Sequence, residues 1–272
     1  MTKCMNNPFQ TKPTTIVNIK DETQDVRLFR LAGRVDFEHG QFMMVGIPGF
    51  GEAPFDICSD NRQKKYFEVC IRKVGGLTEK IFTLERGNKL WIRGPYGHSF
   101  PPLAKLPTKN LLMLGGGTGF ITLRSIVREF IRDHRLGATD VQIYYGARDW
   151  SCLLFKDEYE EWRKRVKLEL VLEKKEGDQA CDLGLITDLF TIKPPKNKDL
   201  TVIMCGPPVM YKFVLQKIKA LDVPDENIFL SMERRMFCGQ GVCEHCGIGP
   251  KYVCKDGPVF TYAEAKLLPG AL

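Results

Sequence analysis

The sequence predicts an antiparallel β-barrel or sandwich followed by a parallel-sheet α/β domain and a small cysteine-rich C-terminal segment. Three observations carry this prediction. The first hundred residues alternate short β-branched and aromatic runs with Gly, Pro, Asn and Asp, as antiparallel sheets do. Beyond the proline-rich stretch 101–109, strand-like and helix-like runs alternate, which is typical of a parallel sheet covered by helices. Four cysteines then lie within seventeen residues, from Cys238 to Cys254.

The composition is that of a globular protein with room for more than one domain: 272 residues, 43% hydrophobic and 27% charged. The chain has no apolar run of about eighteen residues, and its N-terminus lacks the layout of a signal peptide. We therefore expect a cytoplasmic protein without membrane insertion. The net charge of +7 is dispersed and no basic stripe is interleaved with aromatics, so nucleic-acid binding is not expected.

The first domain is predicted to span residues 1–103. Its strand-like runs are TTIVNIKD, VRLFRLAG, GQFMMVGI, FDICS, YFEVCIRKV and KLWIRGPYG. One helical run, GLTEKIFTLERG, interrupts them and ends at Gly87. The order of these runs favours an antiparallel sheet that curls around one core.

The second domain is predicted to span residues 104–230. Its strands are NLLML, VQIYYG, KLELVLE and TVIMCG. The intervening helices are GFITLRSIVREFIRDHRLG, which ends at Gly137, then LLFKDEYEEWRKR, LITDLF and VMYKFVLQKIKAL. This alternation predicts a doubly wound parallel sheet with ligands at the carboxyl ends of its strands. Residues 231–272 form the third predicted unit.

Two glycine-rich turns precede predicted helices. In LLMLGGGTGF the bare N–H groups and the helix dipole suit a nucleotide diphosphate, although such a turn can also be purely structural. The stretch VGGLT offers a similar site before the first helix. A third stretch, IMCGPP, ends a strand of the second domain, where a ligand would cross the sheet edge or a simple strand-to-helix turn would form.

The stretch EAPFDICS places an aromatic and a carboxylate at neighbouring strand positions, Phe55 and Asp56. An aromatic side chain that can stack on a planar ring beside a hydrogen-bonding group is typical of flavin sites. A phenylalanine in a strand is, however, more often part of a core.

The ordered motifs GQF, APFDICS, VGGLT, GPYG, GGGTGF, YYGAR and CGPP resemble the ferredoxin-NADP reductase family. With SMERRMFCGQGVCEHCGIG and YVCKDGPVFTY appended, the chain resembles a group of electron-transfer subunits: sulfhydrogenase gamma, the corresponding subunit of anaerobic sulfite reductase, and the dihydroorotate dehydrogenase electron-transfer subunit. The resemblance covers the chain from about residue 12 onward. It implies a flavin-binding barrel, a Rossmann-like NAD(P) domain and an iron–sulfur segment.

The resemblance also implies site residues. FAD would contact Pro54, Phe55, Asp56, Ile71, Arg72, Gly75, Gly76, Leu77 and Thr78, the last three along its pyrophosphate. NAD(P)H, as substrate, would contact Gly116, Gly117, Thr118, Gly146, Ala147, Arg148, Cys205, Gly206 and Pro207. No catalytic acid, base or nucleophile is needed, because the cofactors carry the chemistry.

The chain departs from this family at two places. The family commonly has an arginine where Ala53 stands, and a serine or threonine facing flavin N5 where Asp56 stands. A carboxylate there would disfavour an anionic reduced flavin, so we hypothesise that Asp56 tunes the flavin. The second departure is Ile121 and Thr122, where relatives often carry a small residue and a proline.

The four clustered cysteines, Cys238, Cys243, Cys246 and Cys254, follow C-x4-C-x2-C-x7-C. Its first part is the plant-type [2Fe-2S] spacing, although thiolates also suit zinc. Structural zinc more often shows two equal C-x2-C pairs, and the glycines of this loop leave N–H groups free for sulfur. Disulfides are less expected in a reducing compartment. A [2Fe-2S] cluster is the favoured interpretation.

The leading functional hypothesis is a subunit that passes electrons between NAD(P)H and a catalytic partner through FAD and a [2Fe-2S] cluster. The partner would belong to a hydrogenase, a sulfite or sulfur reductase, or a heterodisulfide-reductase-like complex. One alternative is a self-contained NAD(P)H reductase acting on ferredoxin or a dye. Another, from a different class, is a redox sensor or scaffold whose cysteine loop binds zinc.

Overall fold

Fifteen strands and seven α-helices form the described part of this computed structural model, residues 7–133, 140–175 and 177–272. The strands are β1 Lys12–Asp21, β2 Val26–Ala32, β3 Phe42–Ile47, β4 Gly51–Asp56, β5 Tyr66–Arg72, β6 Lys89–Tyr96, β7 Asn110–Gly116, β8 Asp140–Ala147, β9 Lys167–Leu172, β10 Asp182–Leu183, β11 Thr201–Cys205, β12 Ile228–Ser231, β13 Gly247–Ile248, β14 Lys251–Tyr252 and β15 Val259–Thr261. The α-helices are α1 Gly76–Phe82, α2 Phe120–Arg132, α3 Tyr159–Arg163, α4 Leu189–Ile192, α5 Pro208–Lys219, α6 Val253–Asp256 and α7 Tyr262–Ala265. None of these helices is long and apolar enough to cross a membrane.

The first six strands form one antiparallel sheet in the order β4-β3-β6-β1-β2-β5. The sheet curls around a core that includes Ile16, Phe29 and Val69. Its two edge strands approach each other where Ile57 bridges to Val69, but they do not form a full ladder. The predicted barrel is therefore confirmed as a barrel-like sheet that stays open on one side.

The second sheet has seven strands in the order β10-β9-β8-β7-β11-β12-β15. All are parallel except β15, which pairs antiparallel with β12. The chain runs outward from β7 through β8 to β10, then returns to the other side of β7 at β11. A doubly wound sheet binds ligands at such a reversal, so the edge between the ends of β7 and β11 is the expected binding position.

Two predicted helices of the second domain are shorter in the structure. The helix expected over LLFKDEYEEWRKR begins only at Tyr159, because the N–H of Phe155 donates to Glu22 Oε2 at 2.8 Å and Phe155 adopts a left-handed φ of 58°. The helix expected over LITDLF forms only from Leu189. The helix α2 is described to Arg132, and its expected end at Gly137 lies outside the described residues.

The C-terminal segment packs onto the edge of the second sheet. Strand β15 joins β12, and the hairpin β13–β14 projects beside it. Cys246, Val253 and Cys254 are buried in the same core as the strand residues Leu114 and Met204. The cysteine-rich loop is thus built on the sheet core.

A buried ionic network joins the two sheets. Arg124 of α2 is 2% exposed and lies 2.9 Å from Glu68 of β5 and 2.5 Å from Glu158. Its guanidinium also donates to the carbonyl of Cys58 at 3.0 Å. Arg128, one turn further along α2, reaches the same Glu68 carboxylate at 3.0 Å. These contacts hold α2 against the barrel-like sheet.

Breaking this network should destabilise the protein strongly. We expect Arg124→Met to lower the free energy of unfolding by about 3–5 kcal/mol, because it leaves the Glu68 carboxylate buried without its most deeply buried cation. Urea unfolding followed by circular dichroism measures the change. The matched control is Arg163→Met, which removes an exposed pair with Glu160 and should cost below about 1 kcal/mol. Equal effects of the two substitutions would contradict the role assigned to Arg124.

Candidate functional site

A cavity of about 650 Å³ lies at the reversal point between β7 and β11. Of the residues predicted to contact NAD(P)H, seven line it: Gly116, Gly117, Thr118, Gly146, Ala147, Arg148 and Pro207. Arg72, predicted for FAD, also reaches it from the barrel-like sheet. The structure therefore brings the ends of β7, β8 and β11 together around one space, as the parallel register of these strands requires.

The glycines of this cavity have two different functions. A Cβ on Gly119 would lie 2.5 Å from the carbonyl oxygen of Cys205, and one on Gly206 would lie 3.2 Å from the backbone nitrogen of Gly116. These two glycines allow the loops after β7 and β11 to touch. Gly117 has a φ of 53° and no atom within 4 Å of a built Cβ, so its open side faces the cavity. Gly117 is the position where a ligand can approach the bare backbone.

Five polar side chains meet where β4 of the first sheet approaches the ends of β11 and β12. We call this set the polar junction: Asp56, Thr122, Cys205, Ser231 and Glu233. The Thr122 hydroxyl donates to the Asp56 carboxylate. The Thr122 and Ser231 hydroxyls lie near the Cys205 thiol and act to lower its pKa. Asp56 and Thr122, the two departures from the family pattern, are thus direct partners.

The polar junction favours neutral carboxyl and thiol groups. Asp56 keeps some exposed surface, yet protein surrounds its carboxyl closely enough that burial raises its pKa, an effect that the Thr122 hydrogen bond only partly opposes. Burial, and then the charge of Asp56, raise the pKa of both Cys205 and Glu233. Glu233 lines the cavity and is open to solvent on that side. Each of these three acidic groups therefore favours its protonated form more than it would in water.

The predicted flavin residues lie along β4, β5 and the start of α1. Gly75 and Gly76 have no atom within 4 Å of a built Cβ, so this turn is open. The Thr78 hydroxyl is already used, because it accepts from the N–H groups of Val74 at 2.8 Å and Gly75 at 3.0 Å. Arg72 pairs with Asp25 at 2.7 Å. A pyrophosphate at this turn would meet backbone N–H groups rather than the threonine hydroxyl.

The other predicted flavin residues are arranged around the first sheet's core. Ile71 is fully buried, and Leu77 and Phe55 pack partly against the same core. Pro54 and Asp56 occupy alternate positions of β4, so their side chains lie on the face opposite to Phe55. Part of the Phe55 ring thus packs against the core of the first sheet, and the rest is exposed and free to contact a ligand.

The four clustered thiols approach one another in two pairs. The N–H of Cys243 donates to Sγ of Cys238 at 3.5 Å, and the N–H of Cys254 donates to Sγ of Cys246 at 3.4 Å. In the described residues no three Cys, His, Asp or Glu side chains surround a single point closely enough to hold one ion. Four thiols arranged two and two fit the paired irons of a [2Fe-2S] cluster. The inner pair, Cys246 and Cys254, is 1% exposed, whereas the outer pair, Cys238 and Cys243, is half-buried.

The backbone of the loop is wound around these sulfurs. Sγ of Cys238 accepts from the N–H groups of Gln240 and Val242 at 3.3 Å and of Cys243 at 3.5 Å. Sγ of Cys254 accepts from Gly241 at 3.1 Å. This winding requires left-handed residues, and Gly239, Gly241 and Glu244 have φ of 70°, 69° and 62°. Concavities of successive N–H groups favour anionic ligands, so the loop suits a negatively charged cluster.

Arg93 of β6 fastens this loop to the first sheet. Its guanidinium donates to the carbonyls of Cys238 and of Phe237, the latter at 3.1 Å, and pairs with Glu52. Arg93 is only 5% exposed. A Cβ on Gly239 would lie 3.0 Å from Tyr96, which shows how closely the loop lies on β6. The cysteine loop and the predicted flavin strand β4 are therefore held by one arginine, since Glu52 belongs to β4.

Sequence reasoning missed several of these residues. Arg93 and Glu52 carry no motif, because their importance comes from a contact between distant segments. In the sequence Glu233 is only a charge that flanks the cysteine loop, yet it lines the cavity. His245 lies on the surface, packed edge-on against Phe237, and takes no part in the thiol pairs.

Two family models match the chain. The oxidoreductase NAD-binding domain matches residues 113–216, and the iron-sulfur cluster binding domain of dihydroorotate dehydrogenase B matches residues 233–266. The first range contains the glycine loop after β7, and the second contains all four clustered cysteines. The fold and these matches define an NAD-binding oxidoreductase with an iron–sulfur segment.

Similarity to individual proteins extends over nearly the whole chain. Sulfhydrogenase 2 subunit gamma of Pyrococcus furiosus is 34% identical, over 95% of this chain and 97% of the relative. A probable dihydroorotate dehydrogenase B (NAD(+)) electron transfer subunit of Thermococcus kodakarensis is 33% identical, over 95% of this chain and 98% of the relative. The chain belongs to the family of oxidoreductase electron-transfer subunits that contains these proteins, as its motifs indicated.

Solved structures show the same fold. A chain of the NADH-dependent reduced ferredoxin-NADP oxidoreductase aligns with a TM-score of 0.76 at 24% identity, over 92% of this chain and 88% of that one. Phthalate dioxygenase reductase aligns with a TM-score of 0.61 at 20% identity, over 77% of this chain and 64% of that one. The predicted fold class, a barrel-like sheet followed by a Rossmann-like domain and an iron–sulfur segment, is confirmed.

The close approach of the two glycine-containing loops gives a first prediction for the site. We expect Gly119→Ala to lower the free energy of unfolding by about 1–3 kcal/mol and to weaken NAD(P)H binding, because its Cβ would press against the Cys205 backbone. Chemical unfolding and calorimetric titration measure the two effects. Gly76→Ala is the matched stability control, since open space surrounds that position and its stability should stay equal or rise slightly. A Gly119→Ala protein as stable as wild type would refute this packing.

The raised pKa of Asp56 gives a prediction with a definite sign. The folded protein holds the Asp56 proton more tightly than the unfolded chain does, so its stabilisation is complete below the ordinary pKa of 3.8 and is lost as pH rises through the folded pKa. We therefore expect Asp56→Asn to exceed wild type in free energy of unfolding at neutral pH, with the difference vanishing near pH 4. Urea unfolding between pH 4 and pH 8 measures this difference.

The control for Asp56 is Asp25→Asn, where the sign is reversed. Burial acts to raise the pKa of Asp25, but the hydrogen bonds from Arg72 and Thr23 and the charge of Arg72 together outweigh it and lower that pKa. Its stabilisation is present above the ordinary pKa and is lost on acidification. Asp25→Asn should thus be less stable than wild type at neutral pH. The same sign for both variants would exclude the assignment of a raised pKa to Asp56.

Proposed function

We propose that this chain accepts hydride from NAD(P)H in the cavity, onto FAD held against β4, and delivers electrons through a [2Fe-2S] cluster to a catalytic partner subunit. The observation that carries this proposal is the polar junction, where the flavin strand meets the ends of β11 and β12 beside the glycine loop. When bound, the flavin supplies the change from two-electron to one-electron transfer. In this proposal the chain divides into residues 1–103, 104–230 and 231–272.

The protein's own residues would hold FAD in three ways. Pro54 and Asp56 of β4 would border the isoalloxazine, with the free part of Phe55 against its side. The N–H groups of Gly76, Leu77 and Thr78 would donate to the pyrophosphate. Arg72 and Gly75 complete this edge, and Ile71 supports it from the core. Because Ala53 offers no cation, Arg72, which also pairs with Asp25, would supply the counter-charge.

NAD(P)H would lie across the carboxyl edge of the second sheet. Gly116, Gly117 and Thr118 would contact the diphosphate, and Gly146, Ala147 and Arg148 the adenosine side. Cys205, Gly206 and Pro207 would border the nicotinamide. The contact between Thr122 and Asp56 supports this direction, because it brings the end of β4, the strand proposed to border the flavin, next to the start of α2 beside the glycine loop. Asp56 and Glu233 would hold a proton beside the reacting rings.

The cluster would be bound by Cys238, Cys243, Cys246 and Cys254, with the outer pair toward solvent. The flanking surface carries the exposed side chains of Phe237 and Val242. The names of the relatives support a partner of hydrogenase or dihydroorotate dehydrogenase type. A sulfite or sulfur reductase, or a heterodisulfide-reductase-like complex, is proposed from the sequence resemblance alone. We propose a cytoplasmic location for the assembly.

Two other functions are separated by the same experiment. A self-contained NAD(P)H reductase would have the same cofactors and need no partner. A zinc-binding sensor would have neither flavin nor iron. The two matching family models disfavour the zinc-binding sensor, and the names of the relatives, which are subunits, favour the electron-transfer subunit over the self-contained reductase.

The proposal predicts a specific spectrum for the protein purified without oxygen. We expect the visible absorption bands of a bound flavin, about two irons and two sulfides per chain, and an electron paramagnetic resonance signal from the cluster after reduction with NADH or NADPH. Cys238→Ser and Cys254→Ser should each remove the cluster signal and leave the flavin bands. Cys181→Ser, outside the loop, is the matched control and should leave both.

Each of the two alternative functions would give a different result in these experiments. Bound zinc with no flavin and no iron would refute the proposal and support the sensor. Full cofactor content with rapid reduction of free ferredoxin, and no catalytic subunit captured under anaerobic conditions, would support the self-contained reductase.

A further inference from the structure

The adenosine end of the cavity has its own charge pattern. The sheet order places the loops after β12, β11, β7, β8 and β9 side by side along one edge. Two lining residues, Arg148 after β8 and Glu173 after β9, lie on the side away from the polar junction. Neighbouring strands are about 4.8 Å apart, so β9 lies about 10 Å from β7 and its glycine loop. A dinucleotide whose diphosphate contacts that loop reaches this far with its adenosine ribose.

The arginine at this end is already paired. Nε of Arg148 donates to Asp149 Oδ2 at 3.2 Å, and its Nη2 donates to Cys152 Sγ at 3.5 Å. Hydrogen bonds from Ser151, then from Arg148, hold the pKa of Asp149 well below its ordinary value, so the pair is ionised. Arg148 therefore brings its own counter-charge to the cavity.

Glu173, in contrast, is unpaired. Its backbone N–H donates to the carbonyl of Ala147 at 3.1 Å, which fixes the residue beside the end of β8. Within the described residues its carboxylate has no hydrogen-bond or ion-pair partner. The basic residues lining the cavity are Arg72 and Arg148, both paired with aspartates, and Lys174 does not line it. The uncompensated charge at the ribose end is thus negative.

This pattern distinguishes two dinucleotides. NADH has a hydroxyl at the 2′ position, which can donate a hydrogen bond to a carboxylate. NADPH has a phosphate there, with a charge of about −1.5 to −2 that a nearby carboxylate repels. A site for that phosphate is favoured by an unpaired cation, whereas the exposed Arg148 shares its charge with Asp149.

From this geometry we infer that Glu173 makes the cavity selective for NADH over NADPH. The inference rests on the proposed function, because it assumes that the cavity holds a pyridine dinucleotide. It assigns to Glu173 a direct contact with the adenosine ribose, and to Asp149 the positioning of Arg148 away from it.

The test is calorimetric titration of the oxidised full-length protein with NAD+ and NADP+, which requires no turnover. We expect wild type to bind NAD+ at least about tenfold more tightly. Glu173→Gln should raise NADP+ affinity about tenfold and change NAD+ affinity by less than about threefold. The wild-type preference should also shrink as ionic strength rises, because salt screens the repulsion. Glu160→Gln, an equal change of charge on exposed α3, is the matched control and should alter neither affinity.

The outcomes separate this inference from the proposed function. Equal affinities in wild type, a preference for NADP+, or a preference unchanged in Glu173→Gln would overturn the role of Glu173 and leave the proposed function standing. Absence of binding of either nucleotide, to protein that unfolds cooperatively, would overturn the proposed function itself.

Discussion

The buried pair of Arg124 and Glu68 fixes how the two sheets face each other. It attaches α2 of the second domain to β5 of the first, and burial makes the pair costly to break. The same helix begins at the glycine loop and presents Thr122 one half-turn earlier, in contact with Asp56. The glycine loop that lines the cavity and the hydroxyl that contacts Asp56 are therefore positioned by one helix.

The cysteine loop is attached to both halves as well. Strand β15 ties its far end to the second sheet, and Arg93 ties its near end to the first. Glu52 completes the connection, because it pairs with Arg93 from the strand proposed to border the flavin. The three proposed binding regions thus share a continuous set of contacts. Electron transfer depends on distance, so this arrangement suits a chain that passes electrons internally before it delivers them.

Several features could be predicted from the sequence because they depend on neighbouring residues. Strand periodicity, the glycine turn before α2 and the spacing of the four cysteines are local properties, and the matching family models support the regions they indicated. The helix expected over LLFKDEYEEWRKR was shortened because Phe155 is held by Glu22, more than a hundred residues away. Helix propensity depends on neighbouring residues only, so it does not predict a contact between residues this far apart in the chain. The same limit explains why Arg93 and Glu173 carried no motif.

The sequence by itself indicated the order of the units, the type of each sheet and a thiol spacing that favours an iron–sulfur cluster, because periodicity, turn residues and cysteine spacing are properties of the chain. Only the tertiary structure decided that the two departures, Asp56 and Thr122, are partners of each other. It also decided that Arg148 is neutralised by Asp149 while Glu173 stays free at the cavity edge. Such pairings depend on which strand ends and helix faces meet when the sheets pack, and distance along the chain does not encode that.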